Sequence, residues 1–292
     1  MTDGTIFFLI QLLNAVQYGL LLFLVASGLT LIFGIMGIIN LAHGSFYMIG
    51  AYLAFVFADM TGNLWLALAI AVPLSFLFGL VLETLLFRFL YGRDHLYQVL
   101  LTYGLILIFE ELRSLIVGND VHGVPVPHFL DFSIPLTATL SYPAYRLALS
   151  AICLAVTALL YLLIQKTKLG MAIRAGAFNR EMVQTLGIDI GLIYRLVFAL
   201  GVALAAFAGM LAAPTTSVFP GMGNQVLIIC FVTVVIGGIG SIKGAFLGAM
   251  LIGLVDTFGA VYAPQFSGLL VYALMAAVLI WRPAGLFGAA AR

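Results

Sequence analysis

The side chains of this sequence that could do chemistry are few and widely spaced. Within one apolar run, Asn40, His43 and Ser45 follow one another at short intervals, among Gly34, Gly37, Gly44 and Gly50. A second run, Gly237-Gly238-Ile239-Gly240-Ser241-Ile242-Lys243-Gly244, has the same texture of glycine with isolated polarity. Such groups bind rather than react. Glycine weakens a helix, and where a helix breaks inside a membrane its freed N–H groups suit the anionic part of a ligand, such as a carboxylate. Glycine also lets helices approach closely, so the two runs read equally well as packing faces. Polar groups would be wasteful against lipid. That favours a solute path lined by Asn40, His43, Gly44, Ser45, Gly238, Gly240 and Ser241. The two runs also read as loose counterparts in an internal repeat.

Enzyme chemistry finds little support. A phosphate-binding loop needs Gly-x-x-x-x-Gly-Lys-Ser/Thr, whereas Lys243 is preceded by Ile242 and followed by Gly244, so ATP hydrolysis by that chemistry is excluded. No nucleophile–base pair stands out. Cys153 and Cys230 lie in separate apolar stretches and read as small buried hydrophobes. His122 and His128 lack a third ligand at useful spacing and read as solvated loop residues. Glu110 and Glu111 sit beside Arg113, and Glu83 lies about a turn from Arg88, so local pairing or snorkelling accounts for all three. Asp256 is left as a weak candidate for a proton-coupling carboxylate.

The elements that must position these residues are set by composition. Of 292 residues, 64% are hydrophobic and 8% charged, against about 25% charged in an ordinary soluble domain. A water-soluble chain of this length could not bury that much apolar side chain. A net charge of +1 offers no basic patch for nucleic acid. No basic residue precedes the apolar run from Ile6, so the first segment is expected to remain a span rather than a cleaved leader. A helix needs about 20 apolar residues to cross the hydrocarbon core. Candidate spans are 6–33, 35–58, 64–88, 97–117, 144–164, 195–213, 225–241, 244–262 and 266–281. The regions 6–58 and 225–262 are ambiguous, so the expectation is an all-α polytopic membrane protein of eight to ten transmembrane helices, some of them broken.

Positive charge sets the expected orientation. With nine spans and the N-terminus outside, the inner side receives Arg88, Arg93, Lys166, Lys168, Arg174, Arg180, Arg195, Lys243, Arg282 and Arg292. The outer side receives Arg113 and Arg146. Ten against two is the asymmetry of Lys and Arg retained in the cytoplasm. The reading is N-out and C-in. An outer loop, 118–143, carries prolines that favour an irregular or turn-rich lid.

The other long connection, 165–194, is cytoplasmic on this reading. From 177 to 186 the apolar residues Phe178, Met182, Val183 and Leu186 fall on one helical face, opposite Asn179, Arg180, Glu181 and Gln184. Gly187 stands where a left-handed C-cap belongs. Such a helix either lies flat on lipid headgroups or inserts into a groove of a cytoplasmic partner, and the residues alone leave both open.

At this point a resemblance appears. The run from Gly28 through Phe33, Gly34, Gly37, Asn40 and His43 to Gly44, the ending Leu186-Gly187-Ile188, the run Gly237-Gly238-Ile239-Gly240-Ser241 and the terminal Arg282-Pro283-Ala284-Gly285-Leu286-Phe287 resemble the LivH-type permease of branched-chain amino acid ABC importers over nearly the whole chain. The resemblance implies a single transmembrane permease domain over 1–292, in a bacterial cytoplasmic membrane, moving branched-chain amino acids. Other members of the broad family move urea, short amides or sugars. A secondary carrier or channel is the competing class. The implied partners are a second related permease, two cytoplasmic ATPase subunits that use ATP and Mg, and a periplasmic substrate-binding protein. Membrane lipid surrounds the chain, and no cofactor or metal is expected in it. Arg174, Phe178, Arg180, Glu181, Met182, Leu186 and Gly187 would form the ATPase-coupling element. The chain departs from the Glu-Ala-Ala spelling common there, with Ala175-Gly176-Ala177 instead.

Overall fold

The structure, a computed structural model, describes residues 3–137 and 140–288. These form eleven α-helices and one small hairpin. The helices are α1 (Asp3–Met36), α2 (His43–Thr61), α3 (Leu64–Leu85), α4 (His95–Val117), α5 (Ala144–Lys166), α6 (Lys168–Phe178), α7 (Arg180–Thr185), α8 (Ile190–Thr216), α9 (Met222–Gly237), α10 (Ile242–Tyr262) and α11 (Ser267–Trp281). The hairpin pairs β1 (Ser133–Pro135) with β2 (Ser141–Pro143). Long uncharged runs of Leu, Ile, Val and Phe satisfy their own backbone only as helices, which is why lipid selects this architecture. Among the described residues seven helical segments are long and apolar enough to cross a membrane: α1, α2, α3, α5, α8, α10, and α11 taken with the 3-10 turn before it, Pro264–Trp281. The apolar α9 has 16 residues, and α4, 23 residues long, carries Glu110, Glu111 and Arg113 in its last turns. The chain is an all-α polytopic membrane protein.

Each of the nine segments read from the sequence holds a helix, with shifted ends. The chain leaves α1 at Gly37, whose φ of 66° is left-handed, so α2 starts at His43 rather than 35. α9 stops at Gly237 because Gly238 and Gly240 both adopt positive φ. α8 starts at Ile190 rather than 195, since the Asp189 carboxylate accepts from the Leu192 amide at 3.2 Å and caps it.

α1 and α8 form the centre. α1 packs against α5, α8, α9 and α10, and α8 against α1, α2 and α3. These contacts are made backbone to backbone. An added Cβ on Gly44 of α2 would overlap the Gly223 carbonyl of α9, and one on Gly209 of α8 would overlap the Tyr47 carbonyl of α2. Gly44 is therefore part of a packing face, the bland alternative read for it from sequence.

Contacts between helix ends gather the connections into two groups. At one end, Gly34 approaches Gly240, Arg195 reaches Glu83, Gly176 lies beside Ile190, and Leu286 and Phe287 reach the end of α9. This end carries Arg88, Arg93, Lys166, Lys168, Arg174, Arg180, Arg195, Lys243 and Arg282, and is called the basic end below. Arg292 lies outside the described residues. Arg113 and Arg146 belong to the far end.

The 118–143 loop is irregular and turn-rich as expected over most of its described length, with a 3-10 turn at His128–Leu130 and the β1–β2 hairpin, which periodicity did not reveal. It is tied down at the far end. His122 and Val218 exchange backbone hydrogen bonds of 2.8 and 2.7 Å. The reading of His122 as solvated is corrected. Its ring is half-buried and stacked on Phe55 at 4.3 Å, because the bridge to Val218 carries it inward. His128 is exposed.

Substituting Gly44→Ala tests the close packing of α2 on α9. The methyl must displace the Gly223 carbonyl, and overpacking of this kind costs about 1–3 kcal/mol. Thermal unfolding in detergent should register a lower midpoint, and an unchanged midpoint would contradict the contact.

Candidate functional site

The break between α1 and α2, residues 37–42, is held by side chains. The Gln98 amide oxygen on α4 accepts from the Ile39 amide at 3.2 Å, and the Asn40 side-chain oxygen accepts from the Ala42 amide at 3.1 Å. His43 is fully buried at the first residue of α2, and its Nε2 lies 2.9 Å from the Val25 carbonyl of α1. A carbonyl only accepts, so Nε2 carries the proton and Nδ1 is left as an acceptor. That Nδ1 and the Asn40 Nδ2 are buried without protein partners. Ser45 is buried one turn into α2.

The second break, residues 238–241, is held differently. The Leu286 and Phe287 amides donate to the Ile236 and Gly237 carbonyls at 2.9 and 3.0 Å, satisfying the end of α9. Ser241 caps α10, its hydroxyl accepting from the Gly244 amide at 3.1 Å. Gly238 is buried against Gly285 and Gly288, while Gly240 is exposed and meets Gly34. An ideal Cβ on Gly34 would stand 3.0 Å from the Gly240 Cα. The two glycine-rich runs thus share the helix–break–helix form and touch each other at the basic end.

Cavities lie elsewhere. One of about 570 Å³ opens between α1, α5 and α10, around Phe23, Thr157, Lys243 and Phe246. Another of about 340 Å³ lies between α2, α3 and α4, around Tyr52, Phe78, Phe109 and Arg113. Neither is lined by Asn40, His43, Gly44, Ser45, Gly238, Gly240 or Ser241. Among the described residues no group of three His, Cys, Asp or Glu side chains is placed to hold a metal.

The expected helix over 177–186 is two helices. Asn179 is extended, and its side-chain oxygen accepts from the Met182 amide at 3.0 Å, so it ends α6 and starts α7. Phe178 closes α6, and Val183 faces inward, 3% exposed, rather than joining the outer face. Phe178, Met182 and Leu186 are 94%, 62% and 70% exposed, an apolar surface at the basic end. Arg174, Arg180, Glu181 and Gly187 are exposed there too. Arg174 also donates to the Ile164 carbonyl at the end of α5. Gly187 adopts φ 80° as expected. Its amide donates to Gln184 at 3.0 Å and that of Ile188 to Val183 at 3.3 Å, a Schellman ending.

Sequence proximity misassigned one carboxylate. Glu83 is 2% exposed, accepts a hydrogen bond from the Tyr91 hydroxyl, and stands 3.6 Å from Nε of Arg195. Arg88 instead lies 5.3 Å over the Phe89 ring. Burial, and then the bond to Glu83, push the Tyr91 hydroxyl pKa up, so it remains a donor. Glu110 pairs with Arg113 at 3.3 Å, and Arg113 also caps α4 through the Gly118 carbonyl at 2.6 Å. Asp256 is half-buried on α10 without an ion pair among the described residues. Gln98 was passed over, although a lone amide inside an apolar helix is a visible signal.

The sequence that folds into these broken, tightly packed helices matches, over residues 11–279, the family described as branched-chain amino acid transport system / permease component. The chain belongs to that family. Among its relatives, the high-affinity branched-chain amino acid transport system permease protein BraD of Pseudomonas aeruginosa is 32% identical, with 96% of each chain covered. LivH of Escherichia coli K12, a permease protein of the same description, is 29% identical over 99% of this chain and 98% of its own. LivM of the same organism is 29% identical over 89% of this chain and 66% of its own length. No solved structure matches the chain. As a member of this family the chain is a permease component of a transport system and not an enzyme.

Replacing Asn179 by Ala removes the cap that starts α7. The loss is about 1 kcal/mol, so hydrogen exchange of the amides from 180 to 188 should accelerate by roughly fivefold. Exchange at the wild-type rate would show that the cap does not organise the loop.

Proposed function

We propose that the chain is the permease subunit of an ATP-driven importer that moves branched-chain amino acids across the bacterial cytoplasmic membrane. It spans the bilayer nine times as one domain, with its N-terminus outside and the basic end in the cytoplasm. A second related permease, two ATPase subunits that use ATP and Mg, and a periplasmic binding protein complete the assembly. The observation that carries this reading is the uncovered face of Phe178, Met182 and Leu186. A monomeric soluble surface rarely leaves such side chains together in water, and here they end two short helices on the side richest in Lys and Arg. On this reading an ATPase subunit is their occupant.

On this reading the binding protein releases the amino acid at the far end, against the 118–143 loop and the 217–221 turn that His122 and Val218 join. ATP binding in the partners displaces α6 and α7. The spans change between outward and inward openings because the partners bind the two states with different affinity. The solute path runs by the two breaks.

Two measurements test the proposal. Changing Phe178, Met182 and Leu186 together to Ser should weaken capture of the ATPase subunits by roughly tenfold or more, abolish ATP-dependent uptake, and leave the melting midpoint unchanged because all three are exposed. Uptake that persists without ATP and collapses with the proton gradient would overturn the reading. For orientation, a cysteine at Asn63 should react with an impermeant reagent on intact cells, whereas one at Lys168 should not. The reverse pattern would invert the topology.

A further inference from the structure

Glu83 is a carboxylate placed almost wholly out of solvent, 2% exposed, near the basic end of α3. Leaving such a group without a partner is costly, so its contacts are specific. Two groups reach it. Tyr91, on the turn that follows α3, donates its hydroxyl to it, and Arg195, in the second turn of α8, stands 3.6 Å away with its side chain 43% exposed. Around this pair the same two segments are pressed together by aromatic contacts. The Tyr91 ring meets that of Tyr194 edge-on at 4.9 Å, and the Phe87 ring meets that of Phe198 at 4.3 Å. A turn or so further along, Gly79 of α3 lies against Ala199 of α8, where an added Cβ would stand 2.7 Å from the Ala199 Cα.

Arg195 is five residues beyond the start of α8, and α8 follows α7 after only Leu186 to Asp189. A displacement of α7 is therefore passed directly to α8. Separating α8 from α3 would strand the carboxylate with Tyr91 alone in apolar surroundings, so the two helices resist coming apart at this point. We propose that Glu83, Tyr91 and Arg195 form a strut that makes α3 move with α8 when α6 and α7 are displaced, and that Glu83 and Arg195 are positioning residues for transport. The inference rests on the importer reading, because it needs an input at α6 and α7.

The test is made on the complete importer in proteoliposomes, reading amino acid moved per ATP hydrolysed. Arg195→Gln and Glu83→Gln should each lower that ratio by roughly fivefold or more, the double variant should fall no further than either single one, and Arg195→Lys should restore most of it. Variants that lose melting temperature but keep the wild-type ratio, or a double variant whose loss is the product of the two single losses, would overturn the strut. A wild-type assembly without ATP-driven uptake would instead sink the importer reading. The strut is then judged on spin-label distances between cysteines introduced at the exposed Leu85 and Leu192, the native Cys153 and Cys230 being buried. A narrow distribution that broadens in Arg195→Gln supports it, and one that is unchanged overturns it.

Discussion

Every peptide group placed in hydrocarbon must find its hydrogen bond within the protein, and each one that fails costs several kcal/mol. The two places where this chain stops being helical without leaving the bundle, residues 37–42 and 238–241, are built around that requirement. Gln98 reaches across from α4 to the first break, Asn40 turns back on its own segment, and His43 seals against α1. The second break borrows the amides of Leu286 and Phe287. The Arg282-Pro283-Ala284-Gly285-Leu286-Phe287 segment is thus part of the bundle's hydrogen bonding, and Gly285 with the following Gly288 lets it press against Gly238.

The helices between those breaks gain nothing from hydrophobic contrast with lipid, so their association depends on close packing. Gly44 on Gly223, Gly209 on Tyr47 and Gly34 on Gly240 bring backbones into contact at several levels of the bundle. Close packing of this sort has few intermediate arrangements, which makes the centre of α1, α2 and α8 a body that shifts rather than deforms. By contrast α4, α5 and α11 turn much of their surface outward.

The existence of the long helices was legible because it rests on the least subtle signal, long runs of apolar side chains interrupted by charge. Break positions were half legible. The glycines were visible at 34, 37, 238 and 240, yet a glycine in an apolar run says equally that a helix packs or that it ends, and only left-handed φ at Gly37, Gly238 and Gly240 against close packing at Gly44 separates the two. Pairings distant in sequence were not legible at all. Glu83 sits about one turn from Arg88, and neighbourhood along the chain favoured that partner. The fold brings Arg195 instead, from 112 residues away. Asn179 misled in the same way: its polarity suited the outer side of a single helix, whereas an Asn at that point competes with the backbone and makes a cap. Val183 then turns inward, which no periodicity computed across the break could show.

The distribution of these features along the membrane axis has a mechanical consequence. The chain enters both breaks at the basic end, where the Glu83 pair, the 282–288 segment, α6 and α7 also lie, while the far end is stitched by the His122–Val218 bridge, by the Arg113 cap on α4 and by the Arg146 bond to Asn14 at 2.8 Å. Asp189, which caps α8, stands between the exposed α7 and the buried α8. If α7 is the input that the importer reading requires, a push there would enter the most deeply packed helix near its start. The broken segments beside it have the fewest intrahelical hydrogen bonds to lose, so they are the places where the bundle yields. On the importer reading, work done at the basic end would be converted to rearrangement of the broken segments that begin there, with the stitched far end as the support.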